Sequence, residues 1–372
     1  MYIKKLNLIN FRNYEMLDIE FNKNINLITG KNGQGKTNIV EAIYMLAFSK
    51  SFRTARDGDM IRFGTENLFI SGEYFRNEMD RKIDIVIGHR KKGFRINGIW
   101  AEKRGDILGN FYVVVFSPED LRIIKDGPRV RRDFLDRELC QVLPTYYSKL
   151  SQYNKTLQIR NKYLKNFDID ENLLDVYDMQ LSELAAYIYI KRRDYVKNLS
   201  EVSGDIHKNI SDSAESLEII YKTQIDVSDD DSEEDIKNRL EEKLKQSRNR
   251  DIMQKNTNYG IHKDDIELFI NSMDLKLYGS QGQQRTASIA LKLSEIEMIF
   301  RETGEYPVLI LDDVFSELDE TRQEKLVKML SDVQMFITSA ENIDRNVFKT
   351  DETTVFTIKN AEVLSKLNGG LK

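Results

Sequence analysis

Polar and apolar residues alternate over residues 2–10 and 17–21, a period of two that predicts half-buried strands. Residues 25–29 form a short apolar run that stops at Gly30, and residues 38–48 then take up helical spacing through Ile39, Ile43 and Leu46. Alternation returns over 68–76, 82–89 and 94–97, joined by short polar turns, which is the pattern of antiparallel strands. Residues 112–116 predict another strand, stopped by Pro118. After Pro128 the texture changes. Residues 131–165 and 173–202 carry long, heavily charged helical patterns, and 217–222 predicts a strand. A helix is expected over 234–253, a strand over 264–270 and a helix over 283–300. Residues 308–311 and 335–338 read as buried strands with a helix, 321–331, between them. No internal repeat is visible. The expected layout is α/β, with a mixed sheet and antiparallel strands in a head of residues 1–128 and 279–372, interrupted by a mainly helical insertion over 129–278.

Composition narrows this picture a little. A chain of 372 residues, 40% hydrophobic and 31% charged, has the balance of a soluble globular protein. No apolar run is long enough to span a bilayer, and the alternating start is unlike a signal peptide, so a cytoplasmic protein with no membrane partner is expected. The single cysteine, Cys140, excludes an internal disulfide and reads as a small buried apolar side chain. With only His89, His207 and His262 beside it, a usual zinc site is excluded too. The net charge of -5 leaves room for a local basic face among 56 Lys and Arg. The acidic run 229–235 reads as a solvated loop feeding a helix N-terminus.

Three motifs carry chemistry. Gly30-Lys31-Asn32-Gly33-Gln34-Gly35-Lys36-Thr37, between a strand and a helix, fits the phosphate-binding P-loop. Its glycines let backbone N–H groups curl around the β- and γ-phosphates of ATP, Lys36 adds a point charge, and the Thr37 hydroxyl is placed to ligate Mg²⁺. Asp312 and Asp313 close the apolar run Val308-Leu309-Ile310-Leu311; Asp312 would hold Mg²⁺ and Asp313 would orient the attacking water. That pairing is the reason to expect the two ends of the chain in one domain. Ser280-Gln281-Gly282-Gln283 precedes a helix, with Ser280 as its N-cap and Gly282 allowing close approach. Thr338 and Ser339 end the last buried strand, where they could face the γ-phosphate.

In this order, around an insertion, these motifs resemble the ABC-type ATPase group of SMC, Rad50 and RecF proteins, and within it the RecF family. Asn10-Phe11-Arg12-Asn13-Tyr14, Lys50-Ser51-Phe52-Arg53-Thr54, Pro118-Glu119-Asp120-Leu121, Gly127-Pro128, Arg131-Arg132-Asp133-Phe134-Leu135-Asp136 and Phe315-Ser316-Glu317-Leu318-Asp319 carry the likeness over nearly the whole chain. Asp126 departs from the family's usual glycine, and Ile261 and Lys263 stand for its proline and arginine. The resemblance implies an ABC-ATPase-type head with a compact second lobe, and an ATP-dependent homodimer. In that dimer Ser280, Gly282 and Gln283 of one copy would meet the nucleotide on the other, and Asp319 would line the seam. It further implies a clamp on single-stranded or gapped DNA with slow hydrolysis. As partners it implies RecO- and RecR-type mediators, with RecA loading and the SOS response as outcomes. Arg12 and Arg53 are candidates to face nucleotide or DNA, while Arg131 and Arg132 read as structural pairs. The alternatives are the nucleotide-binding subunit of a transporter and a non-hydrolysing ATP-sensing module.

Overall fold

Four-residue apolar runs with no alternation bury both faces of a strand, and such runs build the sheet on which the P-loop sits. The computed structural model describes all residues except 89–90, 212–214, 229, 315–322, 324–329, 341–352 and 369–372. The described residues divide into two compact units, 1–120 with 295–372, and 121–294. The joins thus fall at 120/121 and 294/295, where sequence texture put them at 128/129 and 278/279.

The first unit opens with β1 (Tyr2–Phe11), β2 (Tyr14–Glu20), β3 (Ile25–Thr29) and α1 (Lys36–Phe48). β4 (Asn67–Arg76), β5 (Met79–Gly88), β6 (Lys92–Ile96), β7 (Ile99–Trp100) and β8 (Val113–Phe116) follow. One sheet is antiparallel in the order β2-β1-β4-β5-β6-β7. Its β1–β2 turn needs left-handed backbone, with φ 53° at Asn10 and 55° at Arg12.

The second unit holds α2 (Arg122–Lys125), α3 (Pro128–Val142), α4 (Pro144–Tyr163), α5 (Glu171–Ile210) and β9 (Leu217–Lys222). It continues with α6 (Glu233–Gln254), β10 (Asp265–Ile270), β11 (Met273–Asp274), α7 (Leu275–Tyr278) and the start of α8 (Gln281–Thr303). Its small sheet is β11-β10-β9. The helical pattern over 131–165 is two helices, because Pro144 lacks an N–H and forces Leu143 into extended backbone. The acidic run behaves as expected where described: Ser232 and Asp235 form a reciprocal capping box at the start of α6.

The chain returns to the first unit through β12 (Val308–Asp312), β13 (Met335–Ser339), β14 (Thr353–Lys359) and β15 (Glu362–Asn368). These complete a sheet of order β15-β14-β3-β13-β12-β8. It is parallel from β14 to β8, and only β15 runs antiparallel. Helix α1 touches strands of both sheets of this unit, so it is buried on nearly every side. The sheet places the C-terminal ends of β3, β13 and β12 side by side, which is where ligands bind in parallel sheets. Most of the expected helix over 321–331, all but residues 323, 330 and 331, and the segment Phe315 to Asp319 lie outside the described residues.

Candidate nucleotide site

The P-loop leaves the end of β3. Gly30 has φ 149°, and a Cβ there would come 2.3 Å from the Ile358 carbonyl oxygen on β14. Gly35, at φ 113°, meets the Tyr14 hydroxyl in the same way, at 2.8 Å from a Cβ. Both positions therefore require glycine twice over, for conformation and for space. Gly35 caps α1 without a side-chain hydrogen bond, so the helix start presents backbone donors. Lys36 is buried, and its Nζ donates to the carbonyls of Gly30 at 2.7 Å and Lys31 at 3.2 Å. The loop is also held from outside. The Gln34 carbonyl accepts the Ala361 N–H at 3.0 Å, and Gln34 Oε1 accepts the Asn360 N–H at 2.7 Å. The β14–β15 turn thus clamps the P-loop, a contact across 326 residues that no local motif announces.

The acids lie beside it. Thr37 Oγ1 donates to Asp312 Oδ1 at 3.0 Å. Thr338 Oγ1, on the strand between β3 and β12, donates to the same oxygen at 2.7 Å and accepts the Asp313 N–H at 3.0 Å. Thr338 thus fixes both acids, rather than standing only as a γ-phosphate contact. Burial raises the Asp312 pKa above its ordinary value, partly offset by the Thr338 and Thr37 hydroxyls. Asp313 is exposed and held in left-handed backbone, φ 56°.

A cleft of about 650 Å³ joins these parts; its lining includes Asn32, Gly33, Lys36, Thr37, Arg53 and Asp313. Arg12 and Phe63 also line it. Behind it stands Glu41, fully buried on α1 and missed by the sequence motifs. It accepts Arg12 Nε at 2.9 Å and Arg12 Nη2 at 2.5 Å, takes the Ser51 hydroxyl, and lies 3.6 Å from Arg53 Nη1. The signal was present: a lone carboxylate inside the apolar run Ile39-Val40-Glu41-Ala42-Ile43. Arg12 and Arg53 thus combine an internal ion pair with a place in the cleft wall.

The turn Ser280–Gln283 belongs to the second unit. Ser280 and Gly282 are exposed. Among the described residues a Cβ on Gly282 would meet only Ser280 Oγ, at 3.9 Å, so none of them demands glycine there. The Gln283 amide is engaged internally, accepting the Ser280 N–H at 2.8 Å and donating to Glu215 at 2.8 Å. Arg131 makes a bidentate pair with Asp265 at 2.7 Å, and Arg132 donates to the Asp264 carbonyl at 2.7 Å, both structural. Asp126 has φ -83°, a backbone that does not need the family's glycine, and its carbonyl accepts Arg131 at 2.7 Å. In the segment 260–265, His262 Nδ1 lies 2.7 Å from the Tyr153 hydroxyl, and Asp264 accepts the Tyr221 hydroxyl at 2.6 Å. Neither Ile261 nor Lys263 is needed for those contacts. Cys140 is buried. Among the described residues no helix is long and apolar enough to cross a membrane, and no cluster of three His, Cys, Asp or Glu could hold a metal ion.

The RecF/RecN/SMC N terminal domain family matches residues 2–363. The chain is 54% identical over 370 residues to the DNA replication and repair protein RecF of Clostridioides difficile, covering 100% of both chains. It is 40% identical over 367 residues to the RecF of Clostridium beijerinckii, covering 98% of this chain and 99% of that one. A solved structure of the recombination mediator protein RecF with ATP, of the RecFOR pathway, matches with a TM-score of 0.92 at 38% identity, over 98% of this chain and 97% of that one. The Smc head domain of Pyrococcus furiosus, with an extended coiled coil, shares the fold alone, with a TM-score of 0.56 at 16% identity over 99% and 96% of the two chains. The transporter alternative does not survive these matches. With relatives aligned end to end and a P-loop head interrupted by a mainly helical unit, the chain belongs to the RecF family of DNA replication and repair proteins.

Proposed function

We propose that this chain binds ATP with Mg²⁺ in the cleft at Gly30 to Thr37 and acts as an ATP-dependent homodimeric clamp on single-stranded or gapped duplex DNA. One observation carries the reading. Thr37 and Asp312, 275 positions apart in sequence, meet at 3.0 Å beside the P-loop at the C-terminal edge of a parallel sheet. Backbone N–H groups of the loop and the start of α1 hold the β- and γ-phosphates, and Lys36 turns from its two carbonyls to the phosphates. Thr37 Oγ1 and Asp312 Oδ1 would hold the metal ion. Two protein oxygens suit Mg²⁺, which keeps waters and phosphate oxygens as its other ligands. The ion supplies neutralisation of charge on the transferring phosphate. Asp313, fixed by Thr338, orients water for slow hydrolysis.

The second half of the reading concerns a second copy. The exposed turn at Ser280 and Gly282 meets the γ-phosphate bound by the partner, and Gly282 leaves space for that approach. Gln283 shapes the turn rather than touching nucleotide. Loss of the γ-phosphate then loosens the dimer, and ATP acts as a timer. DNA as the target, RecO- and RecR-type mediators and RecA as downstream partners rest on the family alone. Lys36→Met tests the core of the proposal. Nucleotide affinity measured by titration calorimetry should fall below detection, and unchanged affinity would overturn it.

A further inference from the structure

The side chains of the serine–glycine turn are arranged by hydrogen bonds within the chain. Ser280 Oγ accepts the Gln283 N–H at 3.2 Å, and Gln283 Oε1 accepts the Ser280 N–H at 2.8 Å. This is a reciprocal capping box at the start of α8. A glutamine amide has two orientations, and only one of them offers its oxygen to Ser280. A third residue selects it. Gln283 Nε2 donates to Glu215 Oε1 at 2.8 Å. An ionised carboxylate only accepts, so the amide nitrogen must face Glu215, and the oxygen is left for Ser280.

The other oxygen of Glu215 lies 3.8 Å from Nε2 of His207, a fully buried side chain in the last turn of α5, beyond hydrogen-bond distance. The chain thus sets a carboxylate between a helix end and the turn, 68 positions from the glutamine it orients.

We propose that Glu215 is a positioning residue: through the Gln283 amide it fixes the Ser280 backbone, and so sets the turn for the γ-phosphate of a partner copy without touching nucleotide. The last clause rests on the dimer proposed above; the orientation of the turn does not. Backbone hydrogen exchange over residues 279–285, in the nucleotide-free chain, reads the orientation directly. Glu215→Ala should speed exchange there about tenfold, as expected for one charge-assisted hydrogen bond lost. Glu215→Gln keeps an acceptor oxygen and should stay within about twofold of the wild type. In a Gln283→Ala background, Glu215→Ala should add nothing, because the two act as one unit. Wild-type exchange in Glu215→Ala, or an undiminished effect in the Gln283→Ala background, would overturn the proposal. Should Glu215→Ala fail to fold, Gln283→Ala alone must reproduce the faster exchange for the proposal to stand. ATP-dependent dimerisation forms the second arm. Glu215→Ala should weaken it about tenfold with monomer ATP affinity unchanged. A wild-type chain that stays monomeric with ATP would sink the dimer reading, and the exchange series would still decide the role of Glu215.

Discussion

Asp312 follows four buried apolar residues, is itself buried, and accepts two hydroxyls on one oxygen. Those hydroxyls only partly offset the cost of desolvating a carboxylate, and its pKa is raised above the ordinary 3.8. The native state therefore holds this proton more tightly than the unfolded chain. As pH rises from about 3.8 through the raised value, Asp312 subtracts from stability, and the loss persists at neutral pH. Asp312→Asn should then melt no lower than the wild type at pH 7. Its advantage over the wild type should shrink on acidification to pH 4, read from the two melting curves. If Asp312 holds Mg²⁺ as proposed, the same variant should lose ATP turnover by at least about tenfold, since a neutral amide oxygen holds the ion less well than a carboxylate. Asp313 makes the complementary case. Its left-handed backbone is one that asparagine shares at little cost. Asp313→Asn should keep its melting point and its ATP affinity while hydrolysis slows about a hundredfold. Normal turnover would assign the water to another group.

Three helices of the second unit are tied by one buried cation. Arg160 on α4 donates to Asp178 on α5 at 2.7 Å and to Asp251 on α6 at 2.8 Å, and all three side chains are fully buried. Arg160→Met would take that cation from both carboxylates, leaving Asp178 with Arg248 at 2.8 Å and Asp251 with only neutral donors from Asn258 and Ser247 among the described residues. Breaking such a buried network costs about 3 kcal/mol, and urea unfolding should show it as a lower midpoint. Replacing all three residues with apolar ones should recover much of that loss. None of this could be read from spacing, because Arg160, Asp178 and Asp251 look like the polar positions of three amphipathic helices. The same limit runs through the chain. Elements with a local period were legible: β3, β8, β12 and β13, the P-loop and the long helices stand close to where the pattern put them, whereas β14 and β15 were not anticipated. The break at Leu143 was marked only by Pro144 inside an otherwise helical pattern. The clamp of Asn360 and Ala361 on Gln34, and Glu41 as the seat of Arg12 and Arg53, depend on sheet order and helix burial. Sequence periodicity does not encode those. Thr338 shows the intermediate case. Its position at a strand end was visible, but its grip on both acids follows from β13 lying between β3 and β12.

At the scale of the whole molecule, the chain carries a phosphate cradle in one unit and an exposed serine–glycine turn in the other. The turn's inward groups are already satisfied, Gln283 by Ser280 and Glu215. What it still offers outward is the Ser280 hydroxyl and the bare backbone at Gly282. Donors of that kind suit a phosphate, and a second copy of the chain can bring one. Ser280→Arg adds bulk and charge where that phosphate would seat, at an exposed position, and costs only the cap hydrogen bond to the Gln283 N–H. Such a variant should bind ATP as a monomer with affinity within about twofold of the wild type, because its own P-loop is untouched. Light scattering should show a dimer with ATP for the wild type and a monomer for the variant. An ATP-dependent dimer of Ser280→Arg would move the interface elsewhere. DNA adds a second, independent lever. With a net charge of -5, attraction to DNA must come from local Lys and Arg groups, so affinity should fall linearly with salt on logarithmic axes. If the clamp closes only as a dimer, two copies contribute phosphate contacts and the wild-type slope with ATP should be about twice that of Ser280→Arg. Equal slopes would mean that DNA is held by one copy at a time, and that ATP times something other than closure around it.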